Sequence, residues 1–147
     1  MHAMRPETVR DAMVPEPTTL AAGESAREAG RCFADNDDVR AIFVTEDEGR
    51  LLGVITRKTL VREVVAAGLD PVAVTLREIA EPPNFTLDAG LELESAFRFL
   101  EEHDLERVPV VEEGGRLVGV LSRAVVQRRL AEDERPEGEP DPGSLVL

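Results

Sequence analysis

Apolar positions along the chain follow two alternating periods, and the alternation occurs twice. Ala26, Ala29, Gly30 and Phe33 stand at i, i+3, i+4 and i+7, the spacing that lines one face of a helix. Leu93, Ala96, Phe97 and Leu100 repeat it 67 residues later. After each predicted helix come two runs with strand character, residues 41–45 with 50–55 and residues 107–111 with 116–121. The turns between them, Glu46-Asp47-Glu48-Gly49 and Glu112-Glu113-Gly114-Gly115, have hairpin composition. A second helix follows each hairpin, with Leu60 and Val64, then Val126 and Leu130, as an i, i+4 seam. Each unit opens on a proline-rich stretch, Pro15-Glu16-Pro17 or Pro82-Pro83-Asn84. A short extended segment comes next, Thr18-Thr19-Leu20 or Phe85-Thr86-Leu87. The pattern predicts β-α-β-β-α, written twice.

The letters repeat as well as the pattern. Leu51-Leu52-Gly53-Val54-Ile55-Thr56-Arg57 falls on Leu117-Val118-Gly119-Val120-Leu121-Ser122-Arg123 at an offset of 66. Upstream of Asn36-Asp37-Asp38 the offset is 67, so Thr8-Val9-Arg10-Asp11-Ala12-Met13 falls on Thr75-Leu76-Arg77-Glu78-Ile79-Ala80. The extra residue of the first copy belongs in that acidic turn, because a one-residue shift inside a strand would turn its core face outward. A unit of about 60 residues buries little surface alone. The copies are therefore expected to cover each other around a pseudo-two-fold axis, as one intertwined α/β domain. The expected division is a lead at 1–7, a first repeat at 8–70, a second at 71–133 and an acidic Pro/Gly-rich tail at 134–147, disordered by composition. Residues 8–13 and 75–80 read as connector helices.

Charge and composition narrow the function. Thirty acidic residues against 17 basic give a net charge of −13 over 147 residues, which repels nucleic acid and anionic membranes. One cysteine excludes an internal disulfide, and His2 and His103 show no ligand spacing, so no metal is expected. No apolar run is long enough to span a membrane, and the first residues lack an apolar leader, so the expected location is cytoplasmic. No nucleophile–base pair or phosphate loop is legible, which argues against an enzyme. Cys32 reads as a small core hydrophobe, His103 as a solvated helix-end residue, and the acidic stretches 35–38 and 46–48 as solvated turns.

The duplicated unit, with Val108-Pro109-Val110-Val111 followed by Gly-Arg-Leu-Val-Gly-Val-Leu-Ser, resembles the tandem cystathionine-β-synthase-type (CBS) domain pair, or Bateman module, over residues 8–133. The resemblance implies two α/β units packed sheet to sheet and a homodimer. It also implies a regulatory role toward a protein the sequence does not identify, through an adenine nucleotide (AMP, ADP, ATP) or S-adenosylmethionine held in clefts between the repeats. The family's ligand motif, Gly-h-h-Thr/Ser-x-x-Asp with h apolar, reads Gly53-Val54-Ile55-Thr56-Arg57-Lys58-Thr59 and Gly119-Val120-Leu121-Ser122-Arg123-Ala124-Val125. The ribose-binding Asp is replaced by Thr59 and Val125. By the same resemblance the base would lie against Pro17, Thr18, Ala41 and Ile42 in copy one, and Asn84, Phe85, Val108 and Pro109 in copy two.

Two readings of the motif stay open at this level. Thr56 and Ser122 stand where a strand gives way to a helix, with Arg57, Lys58 and Arg123 beside them, an arrangement suited to a small anion. Ser and Thr are equally the preferred N-caps of ligand-free helices. Gly53 and Gly119 mark close approach, either of a ligand or of the facing repeat. The leading expectation is a ligand-sensing regulatory module. The alternative is a dimerisation or scaffold module whose clefts are filled by side chains such as Phe43 and Phe85.

Overall fold

The computed structural model describes residues 6–134. The expected tail beyond its first residue, Glu134, and the first five residues lie outside that range. The two copies occupy the predicted elements in the predicted order. Copy one contains α1 (Val9–Ala12), β1 (Val14–Pro15), β2 (Thr19–Ala21), α2 (Ala26–Asp35), β3 (Ile42–Glu46), β4 (Arg50–Ile55) and α3 (Arg57–Leu60). Copy two contains α4 (Leu76–Ile79), β5 (Leu87–Asp88), α5 (Leu93–Glu102), β6 (Arg107–Glu112), β7 (Arg116–Ser122) and α6 (Arg123–Glu134). Val44 pairs with Gly53 and Val110 with Gly119, each ladder carrying an irregularity one residue after that valine. The offset is thus 67 at the first long helix and 66 in the hairpins, which places the extra residue between α2 and β3.

The hairpin turns differ in chemistry but share a backbone. Glu48 and Gly49 have φ of 61° and 83°, and Gly114 and Gly115 have 78° and 80°. Two successive left-handed residues match the right-handed twist of the strands. Copy two uses glycine at both positions, whereas copy one holds a glutamate at the first.

Strand order is β2-β3-β4-β7-β6-β5, so the ladders connect into one sheet rather than two separate ones. Between β4 and β7 the ladder is a single residue pair, Arg50 with Arg116. Two Arg–Glu–Arg clusters flank it. Glu46 lies 2.7 Å from Arg77 and 2.9 Å from Arg50, and Glu112 lies 2.6 Å from Arg10 and 2.8 Å from Arg116. Those hydrogen bonds, from Arg77 first and then Arg50, hold the Glu46 carboxyl below its ordinary value. Arg10 and then Arg116 do the same for Glu112.

The copies are tied more firmly by exchange of their leading segments. Strand β1 pairs with β7 of the other copy, Val14 opposite Val120 and Pro15 opposite Gly119. In the same way Glu81 bridges Val54, with backbone hydrogen bonds of 2.8 and 3.0 Å. The connector helices follow. Val9 and Ala12 of α1 lie in the apolar core of copy two with Leu93, Leu100, Val108 and Val126. Leu76 and Ile79 of α4, with Val74, lie in the core of copy one with Phe33, Ile42 and Ile55. Each interior is completed by a helix from the opposite half. A β-carbon on Gly53 would lie 2.7 Å from the Glu81 carbonyl oxygen, and one on Gly119 would lie 2.8 Å from that of Val14. The facing repeat makes the close approach at both glycines.

The second helix of copy one departs from the predicted α-helix. After Leu60 the chain enters a π-helical turn, Val61–Val65, with Ala66 N–H bonded to the Val61 carbonyl at 2.7 Å and Leu69 N–H to that of Val64 at 3.0 Å. Val64 keeps its core position, while Val61 and Val65 are 57% and 72% exposed. In copy two α6 runs as an uninterrupted α-helix.

Candidate ligand cleft

The motif of copy one is occupied by its own hydrogen bonds. Thr56 caps α3, its Oγ1 accepting from Thr59 N–H at 3.2 Å, and Thr59 Oγ1 accepts in return from Thr56 N–H at 3.1 Å. Thr59 is fully buried, and its hydroxyl donates to Glu81 Oε1 at 3.4 Å. The residue in place of the family's Asp thus joins the helix start to the segment crossing over from copy two.

Arg57 is likewise engaged. Its guanidinium donates to the carbonyls of Val39 at 2.7 Å, Phe33 at 3.1 Å and Asn36 at 3.3 Å, and lies 4.7 Å from the Phe33 ring centroid. It closes the C-terminal end of α2 and the loop that holds the extra residue. Arg123, its counterpart, pairs with Asp104 at 3.4 Å and with Glu106, in the shorter loop of copy two. Neither arginine is left over for an anion. Lys58 is exposed. Of the copy-one base-side candidates, Ile42 is fully buried, Ala41 half-buried and Thr18 exposed. Pro17 lines a separate hollow of about 420 Å³ with Glu16, Thr45 and Leu117.

Copy two is different. Asn84, Phe85, Val108 and Pro109 all line one cleft of about 220 Å³, with Val54 of copy one and Glu81 of the crossing segment also on its wall. Phe85 does not fill it. Its ring packs edge-on against Phe99 at 5.4 Å between centroids, and His103 lies 4.6 Å from Phe85 and 4.4 Å from Phe99. His103 is therefore a buttress of the aromatic wall as well as the residue closing α5. Phe43, the other expected plug, is buried in copy one. Ser122 stands opposite Arg107 in the β6–β7 ladder, half-buried.

Sequence reasoning missed Glu81, Leu105 and Arg107, which also line the cleft. Arg107 was detectable, because it falls on Ala41 at the offset of 66 and is the one new cation at a cleft position. Glu81 was not, since its place depends on the crossover. Its carboxylate pairs with Arg62 in the π-helical turn, and Glu63 followed by Glu81 hold that guanidinium above its ordinary value.

A CBS domain model matches residues 9–66 and 76–132. The chain belongs to the CBS domain family. Hypoxic response protein 1 of Mycobacterium tuberculosis is 34% identical to it over 125 residues, 85% of this CBS chain and 86% of the relative. The crystal structure of Hypoxic Response Protein I with two coordinated zinc ions superposes with a TM-score of 0.68 at 32% identity, covering 88% of this chain and all of that one. CBSX2 in complex with AMP gives a TM-score of 0.66 at 25% identity, covering 87% and 98%. The zinc-bearing relative overturns the expectation of no metal. Counting cysteines and histidine spacings tests only sites written contiguously in one chain. It is blind to carboxylate ligands and to ligands brought together by folding or shared between chains. Among the described residues no helix is long and apolar enough to cross a membrane.

Proposed function

We propose that this CBS pair is a cytoplasmic regulatory module that binds an adenine nucleotide or a closely related small molecule in the copy-two cleft and passes its occupancy to a partner protein. The carrying observation is that cleft, where four base-side positions converge beside an aromatic wall. At about 220 Å³ it falls below the roughly 300–1,000 Å³ of drug-sized sites, so it suits a base with its sugar rather than a dinucleotide. A relative of the same fold holding AMP supports the reading. The test is thermal denaturation with millimolar AMP, ADP, ATP and S-adenosylmethionine. A ligand at 100 times its dissociation constant stabilises the folded state by about 2.7 kcal/mol, so the melting temperature rises by several degrees. No shift with any of the four refutes the reading.

A second reading, a dimerisation or scaffold module, is favoured by one feature of copy one. Val61, Val65, Leu69 and Val72 are between 49% and 72% exposed, beside an apolar groove of about 390 Å³ between α2 and the π-helical turn. The matching positions for Val61 and Val65 in copy two are Gln127 and Ala131, so this surface is confined to one half of the chain. A single self-complementary patch per chain closes on itself as a two-fold dimer. Native mass spectrometry of the wild type and of V65E distinguishes the outcomes: dimer lost in the variant supports this face, and a dimer retained or a wild-type monomer refutes it.

A further inference from the structure

The hairpin ends carry a row of charges that runs across four neighbouring strands. Glu46 of β3 stands opposite Arg50 of β4, Arg50 opposite Arg116 of β7, and Arg116 opposite Glu112 of β6. Residues directly opposite each other share a face of the sheet. Arg77 extends the row beyond Glu46, and Arg10 extends it beyond Glu112. Read from Arg77 to Arg10, the signs are plus, minus, plus, plus, minus, plus. The row is a palindrome because each member has its repeat counterpart: Glu46 falls on Glu112, Arg50 on Arg116 and Arg10 on Arg77. Each carboxylate spends one oxygen on each of its two arginines. Alternation fails only at the centre, where two guanidinium side chains meet across the ladder with no acid between them. Like charges directly opposite destabilise a sheet. Both side chains are more than half exposed, and each commits a single nitrogen to its glutamate. Asp47, Glu48 and Glu113 in the adjoining turns are exposed and form no ion pair among the described residues.

We propose that the centre of this row binds one doubly charged oxyanion, of phosphate or sulfate type, between Arg50 and Arg116. Such an ion completes the alternation and offsets the excess of two positive charges. Guanidinium groups hold it through paired N–H donors, and the two faces of a tetrahedral ion suit two arginines related by the repeat. The site is separate from the helix starts of the ligand motif. Thr56 and Ser122 lie six residues further along their strands, roughly 20 Å of extended chain. The proposal therefore stands apart from the sensing reading above.

The experiment is calorimetric titration of the full chain with inorganic phosphate against chloride at matched ionic strength, for the wild type, R50Q, R116Q and R98Q. The expected result is one phosphate per chain. R50Q and R116Q should each weaken it by about 10–100-fold, the range for losing a charge-assisted hydrogen-bonding partner. R98Q removes the same charge from α5 and should keep the wild-type affinity. Glycerol phosphate, titrated in parallel, separates two sources of the ion: similar affinity means the head group of an organic ligand, and tenfold weaker binding means the free ion. Circular dichroism melting of each variant in chloride shows whether it is folded, and R116Q carries the test if R50Q is not. No phosphate binding to the wild type overturns the proposal. So does binding that survives both R50Q and R116Q, or binding weakened equally by R98Q, which would mark a general response to surface charge.

Discussion

Replacing Gly53 by alanine tests the crossover of the two copies directly. The added methyl would sit 2.7 Å from the Glu81 carbonyl oxygen and 2.9 Å from the Ala80 β-carbon. Both neighbours belong to a backbone segment held by two hydrogen bonds to Val54, and that segment cannot move without breaking them. Overpacking costs about 1–3 kcal/mol and each lost backbone bond about 1 kcal/mol, so G53A should destabilise by about 3 kcal/mol. For a chain of this size that lowers the melting temperature by roughly 10 °C. Gly119→Ala should cost less, because one of its close neighbours is the flexible Met13 side chain, although the Val14 carbonyl oxygen at 2.8 Å remains. Gly30 supplies the opposite sign. It lies inside α2 with nothing within 4 Å of its would-be β-carbon, so G30A should stabilise by about 0.5–1 kcal/mol. The assay is thermal and urea unfolding followed by circular dichroism. A G53A protein that melts with the wild type would mean that the Ala80–Glu81 segment does not lie on β4, and the exchange of leading segments would fall with it.

Three further outcomes are expected. E48G should raise stability by about 0.5–1 kcal/mol in urea titration, since Glu48 has a φ of 61° at the position where copy two uses Gly114. The Glu46 and Glu112 carboxyls are lowered from 4.5, so the stability they add is present above that value and disappears as the pH falls through their folded values. Melting temperatures measured from pH 7 down to 3 should fall below about pH 4.5, and E46Q with E112Q should flatten that fall. R57Q should destabilise by about 1–2 kcal/mol in the same urea assay, because three carbonyls at the end of α2 lose their donor.

Much of the architecture is written in local pattern. The i, i+3, i+4, i+7 face that begins at Ala26 recurs at Leu93, and the Gly53 and Gly119 hairpins share a register, so element order and the site of the extra residue follow from spacing alone. Which interior receives Leu76 does not follow. Leu76 is apolar at a helix face in either arrangement, and only the path of the chain between β4 and β7 sends it into copy one. The same limit governs the site. Asn84, Phe85, Val108 and Pro109 converge because they sit on neighbouring segments of one copy. The fate of Arg57 depends on carbonyls in the loop at the end of α2, which no motif encodes. The π-helical turn has no signature in the apolar period, since Leu60 and Val64 fit an α-helix equally well.

The differences between the copies form a consistent division. In copy one the motif hydroxyls and Arg57 hold the helix start, the end of α2 and the crossing segment, and the helix that follows carries the exposed valines. In copy two the corresponding region keeps an open cleft with Arg107 on its lining, exposed and in no ion pair among the described residues. Glu81 connects the halves: its backbone bridges Val54, its side chain reaches Arg62 in the π-helical turn, and it forms part of the cleft wall. A regulatory module needs its ligand to favour one arrangement of the protein over another. Under the function proposed above, Glu81 is the residue at which a ligand in the cleft would meet the segment that presents Val61 and Val65, because it is shared by the wall, the crossover and the ion pair. On the proposed reading, occupancy of the cleft would reach the apolar face through this one shared residue, and no longer path through the core would be required.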